Sequence, residues 1–387
     1  MTNRKRNLII AAIAIPAVIC GGWYWQSRGK AHAHKAEKLS GETSFDVYAD
    51  GQRLHMLVLK EHGQHQSIVY RGFAGGEVSP EIALPINPRE KIISRRSNDV
   101  QIAAAGNHLL AAWQISGTGY ANRGPIRTAE SRDGGQTWQQ ATPPTAANRT
   151  DDQGFFDIET DDRGRFHIVW LDSQAKIKGL RHAMFAGQQW SAAQTIDAET
   201  CQCCWNSLRK NPQGELLVLY RNARPRDMAL ARYDGKAWHK AGIVDGFNWQ
   251  VEMCPHAGGG LAIDNEQTFA VTWTGREDSV GCYLSKRGKP DSLARPQKFG
   301  NNSARNPDIA QNAHGLAIVW DEFEGASRRA KFTLLPKTDR KKMPDGEILS
   351  DTAKAGAYAR VLNAGDGFYA FWSETLNANS TIRWRKL

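Results

Sequence analysis

The sequence lacks long blocks of one charge, although it is basic overall. Its 50 Lys and Arg exceed its 40 Asp and Glu, which gives a formal charge of +10 over 387 residues. The densest basic clusters are short, at residues 4–6 and 340–342. A nucleic-acid-binding protein more often carries a basic stripe with interleaved aromatic residues, and this sequence has none. We therefore expect no nucleic-acid partner and at most a weak attraction to anionic lipid or polysaccharide.

Cysteine and long apolar runs are also scarce. The chain has 6 cysteines, and its one long apolar run covers residues 8–25. That run approaches the roughly 20 residues that a helix needs to cross a bilayer. Basic residues precede the run and aromatic residues 23–25 end it. This arrangement predicts a membrane helix with its N-terminus in the cytoplasm and an aromatic belt at the opposite interface.

Residues 1–30 are thus predicted to be an uncleaved membrane anchor, and residues 31–44 a stalk. A cleaved signal peptide is the alternative, because the sequence Ala-His-Ala at 31–33 offers a small-x-small cleavage site. Both alternatives export the remainder of the chain. We therefore expect a single-pass protein of the inner membrane, with residues 45–387 in the periplasm.

A pattern of alternating apolar residues that ends in an aromatic recurs along the chain. Its six copies end at Trp113, Trp170, Tyr220, Trp273, Trp320 and Trp372. These positions are 57, 50, 53, 47 and 52 residues apart. A weaker seventh copy covers residues 55–59 and ends in Leu59. Each copy is too short for an amphipathic helix and is bounded by turn residues, which is typical of a buried strand.

The repeat length predicts the architecture. We place one short strand before each copy and two after it, which makes four strands in about fifty residues, the size of a propeller blade. Such units cannot bury their faces alone, so they must stack on one another around a ring. The sequence predicts an all-β fold, a β-propeller over residues 45–387 that follows the single membrane helix. Seven copies favour seven blades, and six is the alternative if residues 45–86 only close the ring.

One turn of the chain carries a recognisable motif. Residues 131–138 read Ser-Arg-Asp-Gly-Gly-Gln-Thr-Trp and match the Asp box, Ser-x-Asp-x-Gly-x-x-Trp. The residues of the motif are Ser131, Asp133, Gly135 and Trp138. Asp133 can accept backbone N–H groups, Gly135 can take a positive φ, and Trp138 can pack between blades. With this motif and its repeats, the chain resembles the sialidase-like, or BNR-repeat, β-propeller superfamily.

The resemblance implies that the Asp box is structural and lies away from an active site. It also implies that a sialidase would carry three convergent arginines, a tyrosine nucleophile with a glutamate partner, and a further acidic residue. No residue of this chain can be assigned to those roles by motif, and the usual early Arg-Ile-Pro signature is absent. Glycoside hydrolysis is therefore an alternative hypothesis rather than the main one.

Two short segments carry unusual chemistry. Residues 201–205 read Cys-Gln-Cys-Cys-Trp, and residues 254–256 read Cys-Pro-His. Counting back from the aromatic of each repeat places both segments at the start of an innermost strand, so they should meet at one mouth of the central channel. Thiolates and an imidazole suit Cu(I) or Zn(II), although the spacings differ from the common Cys-x2-Cys zinc patterns. The candidate metal ligands, which could also perform thiol chemistry, are Cys201, Cys203, Cys204, Cys254 and His256.

Disulfide bonding is the structural alternative for these cysteines. An exported chain meets an oxidising compartment, where Cys201 or Cys203 could pair with Cys254. Five cysteines lie beyond the anchor, and this odd number leaves at least one unpaired within a single chain. The two segments also look like those of a subgroup of exported sialidase-like proteins that lack the glycosidase residues. That likeness implies fold and compartment, not an activity.

Charged residues near the channel mouth are further candidates. Asp99, Asp157 and Asp308, at the same strand starts, could act as acid–base groups or cation ligands if they face the channel, and Arg221, which follows the inner strand of the cysteine repeat, could bind an anion near the mouth. Three hypotheses follow: metal or thiol chemistry at the Cys/His site, glycan hydrolysis, and a noncatalytic scaffold that presents a propeller face to a glycan or protein partner.

Overall fold

The structure is a computed structural model that describes residues 40–387 apart from 52, 75–76, 175, 177, 266, 288–294, 338–342 and 366. The predicted anchor, residues 1–30, lies outside the described residues. The part of the chain that is described contains β-strands and two short 3-10 helices, Tyr120–Asn122 and Glu277–Ser279, and no α-helix. None of its helices is long and apolar enough to cross a bilayer.

The strands follow one another as antiparallel meanders, which we number as repeats 1 to 7. Repeat 1 contains β1 (Ser40–Ala49), β2 (Leu54–His62), β3 (His65–Ala74), β4 (Glu77–Val78) and β5 (Ile82–Ala83). Repeat 2 contains β6 (Gln101–Ala105), β7 (His108–Ser116), β8 (Arg123–Ser131) and β9 (Gln139–Ala141). Repeat 3 contains β10 (Gln153–Thr160), β11 (Phe166–Asp172), β12 (Gly179–Ala186), β13 (Gln189–Trp190) and β14 (Gln194–Asp197).

The later repeats have the same order of strands. Repeat 4 contains β15 (Ser207–Lys210), β16 (Leu216–Arg221), β17 (Met228–Tyr233) and β18 (Trp238–Ile243). Repeat 5 contains β19 (Gly260–Ile263), β20 (Thr268–Thr274), β21 (Gly281–Arg287) and β22 (Gln297–Phe299). Repeat 6 contains β23 (Arg305–Gln311), β24 (Gly315–Glu324), β25 (Ser327–Pro336) and β26 (Glu347–Ile348). Repeat 7 contains β27 (Ala355–Asn363), β28 (Phe368–Leu376) and β29 (Asn379–Lys386).

Repeats 2 to 6 each form a separate sheet, whereas repeats 7 and 1 share one sheet of eight strands. The junction is the start of β1, where Ser40 and Gly41 pair in parallel with Asn379 and Ser380 of β29. From Gly41 onwards, β1 pairs antiparallel with β2. The beginning and the end of the described chain therefore close the structure together, which removes an exposed sheet edge at β29.

The first strand begins slightly before the predicted boundary. The propeller was expected to begin at residue 45, after a stalk over 31–44, and β1 begins at Ser40. The extra residues at its start include the two that pair with β29.

The recurring apolar pattern lies in the second strand of each repeat, as predicted. The copies occupy β7, β11, β16, β20, β24 and β28, and the weaker copy occupies β2. All seven residues of β11 are buried, because both faces of a central strand pack against neighbouring repeats. Trp170 and Trp320 are among the largest fully buried side chains. The predicted all-β repeat is thus confirmed.

The first strands of the repeats face one another around the centre. Each contacts the first strand of the next repeat along the chain, and β27 contacts β1. Together they line a central channel with a cavity volume of about 310 Å³. Residues at the starts of these strands, including Ser97, Trp205 and Tyr358, line a smaller cavity at one mouth.

Candidate functional site

The first cysteine segment connects repeat 3 to repeat 4 at the channel mouth. It follows β14 and precedes β15. The backbone N–H of Cys201 donates to the carbonyl of Arg221 at 2.9 Å. Just after the segment, the side-chain amide of Asn206 donates to the carbonyl of Phe155 in repeat 3 at 2.7 Å. Both ends of the segment are therefore fixed, one by its own repeat and one by the preceding repeat.

Three buried thiols converge in this segment. The Sγ atom of Cys201 lies 3.4 Å from the Sγ atoms of Cys203 and Cys204. The three sulfur atoms all lie within 4.8 Å of one another. The five cysteines between residues 40 and 387 carry free thiols, so neither predicted disulfide to Cys254 is formed in this structure. We call Cys201, Cys203 and Cys204 the buried triple.

Cys203 also belongs to a second group. Its Sγ atom, the Sγ atom of Cys254 and a ring nitrogen of His256 lie within 4.8 Å of one another. Cys254 and His256 are exposed and come from the loop before β19, in the next repeat. We call this group the exposed triple and the five residues together the cysteine cluster. The structure thus brings all five candidate ligands into two overlapping triples that share Cys203, and such a cluster could bind a metal.

Arg226 joins the two segments of the cluster. Its Nη1 atom donates to the Sγ atom of Cys201 at 2.9 Å. Its Nε atom donates to the carbonyl of Val251 at 3.1 Å, in the loop that leads to Cys254. A guanidinium placed between the segments compensates negative charge on the thiols, and it limits how far the segments can separate.

Arg221 does not line the channel, which corrects the sequence-based expectation. It ends β16, a second strand, and only 1% of it is exposed. Its Nε and Nη2 atoms donate to the carbonyls of Ala257 (3.1 Å) and Trp273 (2.7 Å) in repeat 5. A second strand lies outside the first strand of its repeat, so the side chain reaches the neighbouring repeat instead of the axis. Arg221 therefore connects repeats 4 and 5 behind the cluster.

The three buried thiols have different proton affinities. Hydrogen bonds with Cys203 and Cys204 lower the pKa of the Cys201 thiol, and the charge of Arg226 adds to this effect. The hydrogen bond with Cys201 raises the pKa of Cys203, and burial raises the pKa of Cys204. The Cys201 thiol is therefore the most readily deprotonated of the three. A thiolate is the form of cysteine that binds metals and attacks electrophiles.

The backbone at the mouth is held in an uncommon conformation. Five non-glycine residues there have left-handed φ angles between 49° and 72°: Ser97, Phe155, His256, Asn306 and Tyr358. Bulges interrupt the pairing of β10, β23 and β27 at the same level. Bulges and left-handed residues redirect side chains, and they concentrate at functional sites. A residue with a left-handed φ angle near the start of the first strand therefore recurs in five repeats and redirects a side chain at this mouth.

Gly258 lets the second segment approach the first. A Cβ atom on Gly258 would lie 2.4 Å from the Nε1 atom of Trp205, the residue that follows the three cysteines. Any other residue at this position would push the loop of Cys254 away from Cys203. Trp205 itself is 8% exposed and forms part of the mouth.

The three predicted aspartates do lie in the channel or at its mouth. Asp99 and Asp308 line the mouth, and Asp157 lies further along the channel. The Oδ2 atom of Asp157 accepts the N–H of Leu208 at 2.7 Å, and that of Asp308 accepts the N–H of Val361 at 3.1 Å. Each bond joins the first strands of successive repeats. These two carboxylates therefore have a structural use that needs no bound ligand.

Sequence reasoning missed other charged groups of the channel. Asp46 in β1 accepts the N–H of Ile102 in repeat 2 at 3.0 Å, so it repeats the role of Asp157. Burial raises the pKa of Asp46 to about 7, against the opposing charge of Arg360. Arg209 forms an ion pair with Asp157 at 3.1 Å. The alternation of side chains along each first strand was the available signal, because these residues occupy inward positions.

The Asp box forms a turn between β8 and β9. The Oδ1 atom of Asp133 accepts the N–H of Thr137 at 2.9 Å and a bond from Ser131 Oγ at 2.8 Å. Gly135 has a φ of 91°, and its carbonyl accepts a bond from Trp138 Nε1 at 3.1 Å. The Trp138 ring packs on Tyr70 of repeat 1, with 5.6 Å between ring centroids. These contacts are structural, as the resemblance implied.

Comparisons with known proteins place the chain by its fold. No family model and no curated protein matches the sequence. The structure of the polysaccharide lyase Uly1 is similar, with a TM-score of 0.53, 9% identity and coverage of 90% of both chains. An α-L-arabinanase from Penicillium chrysogenum, complexed with arabinobiose, has a TM-score of 0.49 and 14% identity, with coverage of 78% of this chain and 94% of the arabinanase.

A sialidase from Trypanosoma rangeli gives a TM-score of 0.47 at 9% identity, with coverage of 89% of this chain and 54% of the sialidase. This chain therefore spans about half of that enzyme. At such identities the likeness concerns the fold alone, and it gives no counterpart for the cysteine segments. The repeated meanders and the similarity to Uly1 show an all-β fold of repeated sheets, and the Asp box is the motif by which the sequence resembles the sialidase-like β-propellers.

Proposed function

We propose that the cysteine cluster binds a soft metal ion, with Cu(I) as the first candidate and Zn(II) as the second. The observation that carries this proposal is the sharing of Cys203 by two triples whose donor atoms lie within 4.8 Å of one another. Thiolate and imidazole are the protein donors that suit these two ions. The Cys201 thiol accepts a hydrogen bond from Arg226, and this contact favours the deprotonated form that binds metals.

The donor set favours Cu(I) over Zn(II). Structural zinc sites almost always use four ligands in a tetrahedron, and each triple of the cluster offers three. Met253, 68% exposed, adds a thioether next to Cys254 in the chain. Thioether and thiolate together are typical donors for Cu(I).

The first experiment is a Cu(I) titration of the reduced full-length chain against a coloured Cu(I) chelator, without oxygen. We expect the chain to take about one Cu(I) from the chelator, and Cys203→Ser to lose it, because Cys203 belongs to both triples. Loss of a second-shell partner alone typically costs about 10–100-fold in metal affinity, so loss of a shared ligand should cost at least as much. Cys282→Ala is the matched control. Cys282 is fully buried in β21 and belongs to neither triple.

Two results would contradict the metal-binding proposal. One is a wild-type chain that takes neither Cu(I) nor Zn(II) from a competing chelator. The other is native protein in which mass spectrometry finds Cys201 or Cys203 bonded to Cys254. The cluster would then serve stability, as the disulfide alternative holds.

Glycan recognition is the second candidate, and the comparisons support it more than they support metal binding. The solved structure with a TM-score of 0.53 is a polysaccharide lyase, and the arabinanase structure contains a bound sugar. We would incubate the chain with neutral and acidic polysaccharides and with a fluorogenic sialoside, and measure both products and binding. Turnover that persists in Cys203→Ser would favour this candidate, whereas binding without products would favour a noncatalytic scaffold.

We further propose that the seven repeats are seven blades of one propeller. The cyclic contacts of the first strands and the closure through β1 support this count over six. A crystal structure of residues 31–387 would test it. Six first strands around the channel, with β1–β5 outside the ring, would contradict the count.

We also propose that residues 1–30 anchor the chain in the inner membrane, with the propeller in the periplasm. The support is the sequence of that segment, with its basic flank before the apolar run. An alkaline phosphatase fusion after Leu387 should be active if the propeller is exported. An inactive phosphatase fusion, together with a chain that fractionates with the cytosol, would contradict this location.

A further inference from the structure

The two triples of the cysteine cluster differ in exposure. Cys201, Cys203 and Cys204 are 2%, 3% and 1% exposed, whereas Cys254 and His256 are exposed. The cluster therefore extends from solvent into the protein, with Cys203 as the member common to both parts. A purely structural metal site would be closed by its ligands on all sides.

We infer that one Cu(I) ion passes between the buried triple and the exposed triple while it stays bound to Cys203, and so reaches an external acceptor with soft donors. This inference rests on the proposed metal-binding function. Because all donor atoms of each triple lie within 4.8 Å of one another, the ion can exchange its other ligands with a short movement. The bond to Cys203 is kept throughout.

The exchange balances without a change of oxidation state. On the outward step, the bonds from the ion to the sulfur atoms of Cys201 and Cys204 break, and bonds to Cys254 Sγ and the His256 ring form. The Cys254 thiol releases one proton as it binds, and the freed Cys204 thiolate takes one up. The freed Cys201 thiolate keeps its charge beside the guanidinium of Arg226, 2.9 Å away.

The loop that carries the exposed triple suits an exchange with partners in solution. Residues 251–256 lie outside any strand, between β18 and β19. Met253 is 68% exposed and precedes Cys254 in the sequence, so a thioether lies on the same exposed loop. The acceptor that fits this loop presents thiolate or thioether ligands for Cu(I).

The inner end of the cluster is closed. Cys204 is buried beside the repeat 4–5 junction that Arg221 occupies, and the guanidinium of Arg221 is bound to backbone carbonyls. The exposed triple, which shares Cys203, is therefore the route to solvent that we assign to an ion in the buried triple. This geometry predicts that removal of an exposed ligand slows release without abolishing binding.

The test measures transfer of Cu(I) from the loaded full-length chain to excess bathocuproine disulfonate in stopped-flow mixing. We expect Cys254→Ala to hold Cu(I) in the buried triple and to transfer it at least about tenfold more slowly than the wild type, since loss of a second-shell partner alone typically costs about 10–100-fold in metal affinity or activity. Cys201→Ser should bind Cu(I) at least about tenfold more weakly and transfer it faster. Cys282→Ala is the control and should match the wild type in both measurements.

The outcomes separate this inference from the function on which it rests. Equal transfer rates for the wild type and Cys254→Ala would overturn the route through the exposed triple, while binding would stand. A wild type with about two Cu(I) ions, of which Cys201→Ser and Cys254→Ala each keep one, would overturn the single moving ion. A wild type that binds no Cu(I) would remove the proposed function itself. Cys254 is exposed, so its variant should fold even if Cys201→Ser does not.

Discussion

The Asp-box turn of repeat 2 and the cysteine segment of repeat 4 are both short connections, but they are stabilised in opposite ways. In the Asp-box turn, Asp133 and Ser131 bond to the backbone of the same eight residues. In the cysteine segment, the contacts come from Arg226 and from Phe155 of another repeat. A turn that closes on itself can be recognised as a motif, whereas a segment closed across repeats depends on residues far away in the chain.

The two regions also differ in whether their polar side chains are free to bind a ligand. Hydrogen bonds within the Asp box hold the pKa of Asp133 at about 2, so this carboxylate is committed to its turn. In the cysteine segment the thiols bond chiefly to one another, and Arg226 favours the charged form of one of them. Thiols that satisfy one another can give up those contacts to an ion without leaving a backbone group unpaired.

The largest expected effect comes from Arg221→Met. This change leaves the buried carbonyls of Ala257 and Trp273 without the guanidinium that donates to them. Each unsatisfied buried group costs about 1–3 kcal/mol. We therefore expect the free energy of unfolding to fall by roughly 3 kcal/mol or more. Urea unfolding would measure it. Arg132→Met in the Asp box is the control, because that side chain is 49% exposed and should change stability by no more than about 0.5 kcal/mol. Equal losses of unfolding free energy in Arg221→Met and Arg132→Met would contradict the difference between the two regions.

Gly135→Ala should have the next largest effect, and it acts within the Asp box alone. The new Cβ atom would lie 2.2 Å from the Tyr70 ring at a φ of 91°, so we expect a loss of roughly 1–3 kcal/mol in unfolding free energy with no change in Cu(I) binding. Gly187→Ala is the matched control, since its φ is also positive but nothing lies within 4 Å of the new atom. A weakened Cu(I) affinity in Gly135→Ala would show that the two regions are coupled after all.

Asp46→Asn tests a carboxylate that accepts a hydrogen bond from another repeat, whereas Asp133 accepts its bonds within its own turn. Burial raises the pKa of Asp46 in the folded protein to about 7, whereas the unfolded chain releases this proton near pH 4. Between these two pH values, the folded wild type therefore holds a proton that the unfolded chain has lost. Stability from this group is therefore lost as the pH rises from about 4 to 7. We expect the variant to gain more in melting temperature at pH 8 than at pH 5.

The melting temperature of Asp46→Asn should still depend on pH, because a second buried carboxylate titrates in the same range. Burial likewise raises the pKa of Asp245 to about 7, so Asp46→Asn should reduce the slope of melting temperature against pH without abolishing it. An unchanged slope would mean that Asp46 titrates at its ordinary value in the folded protein.

Arg226→Met should produce the smallest effect, confined to the cysteine segment. Hydrogen bonds with Cys203 and Cys204 lower the pKa of Cys201 most, and Arg226 contributes less. Ultraviolet absorbance of thiolate against pH in the metal-free chain should therefore show a modest upward shift of one titration. Cys201→Ser identifies that titration by removing it. A downward shift would contradict the role given to Arg226.

Much of the fold follows from local sequence. The second strands, such as β11 and β24, were predictable because a short, largely apolar run that ends in tryptophan between turn residues is typical of a buried strand. The start of β1 was not predictable, because Ser40 and Gly41 pair with Asn379 and Ser380 of β29, and no local pattern marks a pairing between residues so far apart in the chain.

Part of the candidate site was likewise predictable from the sequence, and part was not. Counting within the repeat brought Cys203 near Cys254 and His256, and the structure places these three together. Arg221 was placed near the mouth because it follows a strand of the cysteine repeat, and a position along the chain does not give the distance of a side chain from the axis. Asp46 and Arg209 were missed because no motif marks them, although both line the channel.

The sequence by itself determined the strands, the repeat and the Asp-box turn, because each depends on side-chain alternation or on hydrogen bonds within a few residues. The tertiary structure alone decided that Cys203 is shared by two triples, that Arg226 faces Cys201, and that Arg221 is buried between repeats. The physical reason is that these contacts join residues of different loops and repeats, and their distances are fixed only when the ring has closed.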